Sequence, residues 1–327
     1  MEVRVIRERG AEVVATADLQ VALADPEATV WVDIPDCDEE SLGVLREVFG
    51  FHPVTIWESR QRQRMAKFHP YADHVFVVLH SPERGDHGHV HYVELDQFIG
   101  PNYVVTVHGP TNPAVPAHVP LRDTTLVWDR ICEGRLHPST PIELSHAIVA
   151  SMVRGMEETL EIVTEDVWGL EQEVTLGTMG DPEEFLDRMF RTRHALLAVS
   201  NITAASLEIY DRMVLVAHGI TEADRLLLAD NIDQFRRAHR LADVQREYLQ
   251  GVIEFYRTRT DTKMTIAAER LAVIAVVTLP ITALASVLGM NVIVNTRTQT
   301  IPLAIALAVM ITMSAFLLRW AHRHGWW

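Results

Sequence analysis

The strongest candidate for a functional set of residues lies on one face of an apolar segment near the C-terminus. At alternating three- and four-residue spacing, the side chains there are small or carry a hydroxyl group, apart from one leucine. They are Thr265, Ala268, Ala272, Ala275, Leu279, Thr282 and Ser286. Such a stripe can line a polar pathway between packed helices, and it is also typical of close helix–helix packing in membranes. Both interpretations stay open on the stripe alone.

The stripe enters the first of two apolar runs, 271–294 and 301–318, which have one charged residue between them, Arg297. A membrane-spanning helix needs about 20 mostly apolar residues, and both runs meet that length. The alternative is a buried helical hairpin in a soluble core, but nothing else in the chain could wrap two helices that are apolar all round. Basic residues flank the pair on both outer sides, which predicts that both termini lie in the cytoplasm.

The charge of the chain is concentrated ahead of these runs. Of 44 acidic and 29 basic residues, only three arginines fall in 271–327, so residues 1–270 carry a formal charge of −18. Such an acidic body argues against a nucleic-acid partner, because affinity for nucleic acid depends on neutralising phosphates. Two distant cysteines, Cys37 and Cys132, indicate a reducing compartment without a disulfide framework. The first residues contain no apolar signal region, and we expect no secretion.

The N-terminal part predicts a mixed α/β domain followed by long helices. Short runs rich in β-branched residues recur through 1–110, and one helix signal at Asp38 interrupts them. Helix starts are predicted at Thr140, Asp181 and Thr221, each of which suits an N-cap position. The third helix meets no proline until Pro280, so it would continue from the cytosol into the first span. No catalytic constellation or phosphate-binding loop is present, and we expect no enzyme activity and no organic cofactor.

The first span ends in Gly289-Met290-Asn291. Without its sequence context, this tripeptide is typical of a helix C-terminus. At this place, behind a long helix and before a second span, the tripeptide resembles the motif of the CorA family of divalent-cation transporters. Further segments resemble family strands and loops: TVWVDI at 29–34, FGFHPVTIWES at 49–59, the stretch 63–79 and IGPNYVVTVH at 99–108. The resemblance covers most of the chain.

The resemblance implies a funnel-shaped homopentamer in the plasma membrane, with the first span of each copy lining a central pore. It makes Gly289, Met290 and Asn291 the selectivity filter, where a ring of amide oxygens would hold hydrated Mg²⁺ through its waters. It also implies regulatory Mg²⁺ at cytosolic acids. Counting back from Asn291 places Asp230 at the stalk acid of the family, and Asp86 lies one residue from a second acid; a solvated surface charge is the alternative for both. Leu279 would form a hydrophobic level that gates by dewetting.

With this resemblance, the chain divides into seven predicted segments. They are a cytosolic α/β domain (1–125), a cytosolic helical region (126–220), the stalk part of the long pore helix (221–270), the first transmembrane helix (271–294), an extracellular loop (295–300), the second transmembrane helix (301–319) and a cytosolic basic and aromatic tail (320–327). The fold class is therefore an α+β cytosolic domain, mixed α/β in character, with a long-helix stalk and two C-terminal transmembrane helices.

Two features depart from this picture. Family members usually follow Gly-Met-Asn with an acidic loop, whereas this chain has no acid there and carries Arg297; a ring of arginines would repel cations. In addition, His87, His89 and His91 alternate along a predicted strand, which would place all three on one face where they could bind Zn²⁺, Co²⁺ or Ni²⁺. We favour a solvated hairpin rim for these histidines over a metal site, because a His-rich tract is only compositional evidence.

The sequence thus predicts a Mg²⁺ channel, also open to Co²⁺ or Ni²⁺, that imports its ion through a pore of several identical chains in a lipid bilayer and is gated by cytosolic Mg²⁺. One alternative is a ZntB-like Zn²⁺ transporter on the same scaffold. Another is a membrane-anchored sensor that no longer transports.

Overall fold

The computed structural model describes residues 1–216, 221–289 and 300–323. It divides into two compact units, Met1–Val252 and Ile253–Trp327. The first unit contains the sheet and most of the helical chain. The second contains the apolar part of the long helix and the last helix.

The first unit is built on a seven-stranded sheet. Its strands are β1 (Glu2–Arg7), β2 (Gly10–Val14), β3 (Thr29–Ile34), β4 (Lys67–Pro70), β5 (Val75–Arg84), β6 (Val90–Ile99) and β7 (Tyr103–His108). Their spatial order is β2-β1-β3-β7-β6-β5-β4. The β3–β7 pair is parallel, and the others are antiparallel. The predicted mixed α/β character is confirmed.

The described residues form eight α-helices. They are α1 (Leu19–Leu23), α2 (Glu39–Glu47), α3 (Pro53–Arg60), α4 (Arg122–Cys132), α5 (Pro141–Leu176), α6 (Pro182–Val216), α7 (Glu222–Gly289) and α8 (Thr300–Arg323). The predicted caps form: Thr140 accepts a hydrogen bond from the Glu143 amide, and Thr221 and Asp224 form a reciprocal capping box. The long helix and the two C-terminal apolar helices are therefore present as predicted.

Both faces of the sheet are covered. On one face, side chains such as Val30, Val32 and Phe98 pack with residues of α1, α2 and α3 in one apolar core. On the other face α5 packs against β5, β6 and β7, and the Ser145 hydroxyl of α5 donates to Gln97 Oε1 of β6 at 2.6 Å. A sheet covered on both faces buries most side chains of its central strands, so any polar ones among them need hydrogen-bond partners.

One buried polar cluster ties the parallel pair together. The Thr106 hydroxyl of β7 donates to Asp33 Oδ1 of β3 at 2.6 Å, and His108 Nε2 lies 2.9 Å from the same oxygen. Arg4 of β1 lies 3.2 Å from Asp33 Oδ2, and its guanidinium stacks over Trp31. Burial alone would raise the pKa of Asp33, but the hydrogen bond and charge of His108, with Arg4, hold it below its ordinary value.

Candidate functional site

The stripe predicted on the first apolar run lies on an uncovered face of α7. All seven of its residues are exposed in the single chain, and even the large side chain of Leu279 is 67% exposed. They are Thr265, Ala268, Ala272, Ala275, Leu279, Thr282 and Ser286. We call this set the free face of α7. Exposure in one chain is what a pore lining formed between several chains requires, and the assignment itself stays a prediction.

Part of the opposite side of the same helix, within 273–284, is covered. Val273 is buried, and Val277, Pro280, Ile281 and Leu284 are half-buried. These are bulky residues, whereas the free face carries small and hydroxyl side chains except at Leu279. Between 273 and 284 bulky residues are thus covered in part, while the stripe is exposed along its length. Leu271 and Ile274 are bulky and exposed as well.

The threonines of the free face have a defined hydrogen-bond geometry. Thr265 donates its hydroxyl hydrogen to the carbonyl of Asp261 at 3.0 Å, and Thr282 donates to the carbonyl of Thr278 at 2.8 Å. This back-bonding uses the O–H donor inside the helix. The lone pairs of each oxygen remain free to accept, which suits contact with the water shell of a cation.

The apolar helices meet the requirements for a membrane span. Two helical stretches are long and apolar enough to cross a bilayer, Glu222–Ser286 and Ala304–Arg323, and only 6% of the most apolar window of each is buried. A hairpin at the core of a soluble protein would be buried, so that alternative does not fit this chain. An apolar surface of this kind has to be covered by lipid or by other chains.

The predicted filter lies at the limit of what the structure describes. Gly289 is the last residue of α7. Met290 and Asn291 lie outside the described residues, as does Arg297 of the loop. Their roles stay predictions.

The two predicted regulatory acids occupy different settings. Asp86 is exposed in a short 3-10 turn, Asp86–Gly88, between β5 and β6. Asp230 lies on α7, where its Oδ2 is 2.8 Å from His146 Nε2 of α5 and accepts a hydrogen bond from Gln234 at 2.6 Å. The hydrogen bond from His146 is the main cause that lowers the pKa of Asp230. Asp230 is thus an ionised carboxylate at a contact between two helices.

His146 is a residue that sequence reasoning missed. It lies 84 positions before Asp230 in the chain, and no motif links the two. Across the described residues, no three histidine, cysteine or carboxylate side chains meet as a preformed metal site. A metal at Asp86 or Asp230 would therefore need ligands from water or from another copy of the chain.

His87, His89 and His91 do not share one face of a strand, and the turn between β5 and β6 fits the interpretation of a hairpin rim. β6 begins only at Val90, because the chain first makes a 3-10 turn in which Gly88 has a φ of +74°; a left-handed residue cannot continue a pleated strand. The His89 and His91 rings are 4.7 Å apart, and His194 of α6 stacks 6.3 Å from His89. The side chain of His87 lies outside what the structure describes. Metal binding by these histidines stays untested.

Comparison with known proteins covers nearly the whole chain. A family model described as CorA-like Mg²⁺ transporter protein matches residues 26–323. The putative metal ion transporter YfjQ of Bacillus subtilis (strain 168) is 21% identical over 265 residues, which span 81% of this chain and 79% of that protein.

Solved structures show the same fold. The CorA magnesium transporter of Methanocaldococcus jannaschii matches with a TM-score of 0.81 at 14% identity, over 100% of this chain and 99% of that one. Full-length CmaX matches with a TM-score of 0.76 at 15% identity, over 100% and 98%. The cytoplasmic domain of ZntB from Vibrio parahaemolyticus RIMD 2210633 matches with a TM-score of 0.53 at 12% identity, over 80% and 95%. At these identities the likeness shows the fold alone.

Proposed function

This chain belongs to the CorA-like Mg²⁺ transporter family of membrane metal-ion transporters, and on that premise we propose that it is a plasma-membrane channel for Mg²⁺ uptake. Co²⁺ and Ni²⁺ are further candidate ions. The observation that carries the proposal is the free face of α7, which brings small and hydroxyl side chains together on the uncovered side of an apolar helix. Uptake would run down the membrane potential, because the electrostatic free energy of a divalent cation falls when it enters a negative interior.

The proposed channel contains several copies of the chain, five by analogy with the family. Two spans cannot enclose a pathway through a bilayer, so a pore needs more than one chain. The free face would point to the pore axis and the bulky side with Val273 and Val277 away from it. Both termini would lie in the cytoplasm, as the basic flanks of the two spans predict.

Selectivity in this proposal depends on the end of the first span. Mg²⁺ sheds its water reluctantly, so a neutral ring of Asn291 amide oxygens, supported by Gly289 and Met290, would hold the ion through its waters and still release it. Leu279 would form the hydrophobic constriction on the free face.

We also propose that cytosolic Mg²⁺ closes the channel. Asp86 and Asp230 are the candidate ligands in the cytosolic part. The bound ion would bridge acids of neighbouring copies and stabilise a closed arrangement, and it can shift the equilibrium only by binding that arrangement more tightly.

The alternative function is Zn²⁺ transport on the same scaffold. The close rings of His89, His91 and His194 favour it, because imidazole is a common ligand of Zn²⁺. Loss of transport in favour of sensing is the remaining alternative, and the basic loop residue Arg297 is the feature in its favour.

Ion flux into vesicles that contain the reconstituted protein tests the proposal. We expect Mg²⁺ flux above that of empty vesicles, and we expect Asn291→Ala to abolish it while the oligomer still assembles. Val277→Ala, on the covered side of α7, is the matched control and should keep most of the flux. Flux of Zn²⁺ but not of Mg²⁺ would favour the Zn²⁺ transporter. Absence of flux for every ion would favour the sensor that no longer transports. Unchanged Mg²⁺ flux in Asn291→Ala would contradict the filter assignment.

A further inference from the structure

Three carboxyl groups are buried together between α3 and the sheet. Glu58 lies on α3, and Glu94 and Asp96 lie two residues apart on β6, so both point to the same face of the sheet. Their exposed fractions are 9% for Glu58, 5% for Glu94 and 0% for Asp96. We call these three residues the buried acid triad. Acidic side chains are almost never this deeply buried without partners.

The triad lacks the hydrogen bonds that such burial requires. One oxygen of Glu58 accepts from Lys67 Nζ at 2.6 Å, and one oxygen of Glu94 accepts from the Gln63 amide at 2.7 Å. The four remaining oxygens, Glu58 Oε2, Glu94 Oε1 and both oxygens of Asp96, make no well-formed hydrogen bond in the described structure. The Ser59 hydroxyl lies beside Asp96 and compensates its charge in part. An ionised carboxylate in that position pays a large desolvation cost, which protonation removes.

The charged and titratable groups around the triad do not balance it. Those facing it from the neighbouring elements are Arg62 from the loop after α3, Lys67 and His69 from β4, His80 from β5, and Cys37 and Asp36 from the loop after β3. Of these, Lys67 pairs with Glu58 and is itself 30% exposed, and the Arg62 guanidinium also acts on Glu94. Two permanent cations therefore face three carboxyl groups. Burial lowers the pKa of His80 and raises that of the Cys37 thiol to about 11, so both are neutral near pH 7.

We propose that the buried acid triad is a proton-binding site, in which Glu94 and Asp96 hold a proton at neutral pH and release it under mildly alkaline conditions. Binding the proton gives a carboxyl group an O–H that can be donated to a neighbouring carboxylate, and it removes one buried charge. Loss of the proton leaves like charges under α3 and loosens the packing of that helix on the sheet. This inference does not depend on the proposed transport function.

The electrostatics agree with the geometry. Burial, and then the charge of Asp96, raises the pKa of Glu94. Burial is also the main cause that raises the pKa of Asp96, with the charge of Glu58 adding to it, while Ser59 and Lys67 act in the opposite direction. Because the two groups interact, their titration belongs to the pair rather than to either residue.

A proton fits this site better than a metal ion does. In the described part of the chain, no three acidic, imidazole or thiol groups are arranged to hold a metal. A proton needs only two oxygen atoms, whereas Mg²⁺ demands a near-octahedral oxygen shell.

Infrared spectroscopy of the full-length protein in detergent tests the proposal, because a protonated carboxyl group has its own C=O stretching band. We expect the wild type to lose such a band with a midpoint more than two units above the ordinary carboxyl pKa of about 4. Asp96→Asn and Glu94→Gln should each reduce the band. Asp166→Asn is the matched control, because Asp166 is half-exposed and paired with Arg84, and it should leave the band unchanged.

Hydrogen–deuterium exchange in α3 supplies a second readout. The folded-state pKa values are raised, so the stabilisation is present at low pH and is lost as the pH rises through them. Protection of α3, corrected for intrinsic exchange, should fall about tenfold per unit of pKa shift that is titrated, and Asp96→Asn should keep its protection. The wild-type infrared measurement decides the matter if Asp96→Asn does not fold. Three results would each overturn the proposal. The first is that the wild type has no band of a protonated carboxyl group near neutral pH. The others are that both variants leave the band unchanged, or that millimolar Mg²⁺ abolishes it at neutral pH.

Discussion

The chemistry available on the free face of α7 is that of the threonine oxygen. Thr282 gives its hydrogen to the carbonyl of Thr278 at 2.8 Å, so its oxygen offers only lone pairs to the outside of the helix. Such an oxygen can accept a hydrogen bond from the water shell of an ion and cannot donate one to it. The free face is therefore suited to hydrated cations rather than to anions.

Replacing that oxygen tests whether Thr282 contacts the ion. Thr282→Val keeps the shape of the side chain and removes the acceptor, and losing one hydrogen bond of about 1 kcal/mol should lower Mg²⁺ flux roughly fivefold. Thr282→Ser keeps the oxygen and should retain most of the flux. Equal flux in both variants would indicate that Thr282 faces lipid or a packing contact.

A second residue-scale prediction concerns Arg297 in the loop between the spans. A ring of arginines at a pore mouth raises the barrier to cation entry, and salt screens this effect. Arg297→Glu should increase cation uptake, most strongly at low ionic strength, and Arg297→Gln should give an intermediate rate. If the three proteins transport equally at every salt concentration, Arg297 points away from the pathway.

At the scale of elements, the parallel β3–β7 pair depends on one buried charge cluster. Asp33 meets Arg4 and His108 inside the sheet layer, and its pKa is lowered. Asp33→Asn removes the buried carboxylate that Arg4 and His108 share and leaves Arg4 with its ion pair to the 55% exposed Glu2. The loss should cost about 3 kcal/mol of unfolding free energy, because a buried charge loses its buried partner. Chemical denaturation of the full-length protein measures this. Asp25→Asn, in an exposed pair with Arg7, should cost much less.

The contribution of the same cluster to folding stability depends on pH, and the lowered pKa of Asp33 sets the direction of that dependence. A lowered pKa in the folded state means that Asp33 contributes stability above its unfolded-state pKa of about 4, and this contribution is lost as the pH falls through the folded value. The difference in stability between wild type and Asp33→Asn should therefore shrink in strong acid. A difference that stays constant through that range would show that Asp33 acts through shape rather than charge.

The sequence predicts elements well where one local signal dominates. α7 is predicted from its capping box at Thr221 and its proline-free run, and it forms from Glu222 to Gly289. The sequence gives no strand signal for β4, because its four residues include one histidine and one proline. In the structure β4 pairs with β5. The turn at Asp86–Gly88 fits the interpretation of a hairpin rim, and the strand prediction fails there because alternation of histidines imitates a strand.

The candidate site is predictable only in part for the same reason. The stripe on α7 is a local periodicity, and it appears on one face as the spacing predicts. The contact of Asp230 with His146 joins α7 to α5, and the buried acid triad joins α3 to β6. Both depend on tertiary packing between distant segments, which no local pattern encodes.

At the scale of the whole molecule, the charge of −18 on residues 1–270 has a consequence for assembly. Identical acidic bodies repel one another when they are held close together in an oligomer. A divalent cation bound between them offsets this repulsion, so the closed arrangement should be more stable in Mg²⁺ than without it. The proposed regulation by cytosolic Mg²⁺ thus needs only acids that face other copies of the chain, and Asp230, 53% exposed on α7, is one candidate.

Protease protection of the cytosolic part tests this regulation. Millimolar Mg²⁺ should slow cleavage of the wild type, because binding to the closed arrangement lowers the population of open, cleavable states, and it should protect Asp230→Ala less. Asp233→Ala removes an exposed acid from the same helix and should behave as wild type. His146→Ala breaks the contact of Asp230 with α5 but keeps the carboxylate, so it should retain protection if Asp230 acts as a metal ligand.

Wild-type cleavage that Mg²⁺ leaves unchanged would exclude the regulatory proposal. Equal protection of wild type and Asp230→Ala would exclude only Asp230, and loss of protection in both Asp230→Ala and His146→Ala would assign Asp230 to the packing of α5 on α7 rather than to the ion.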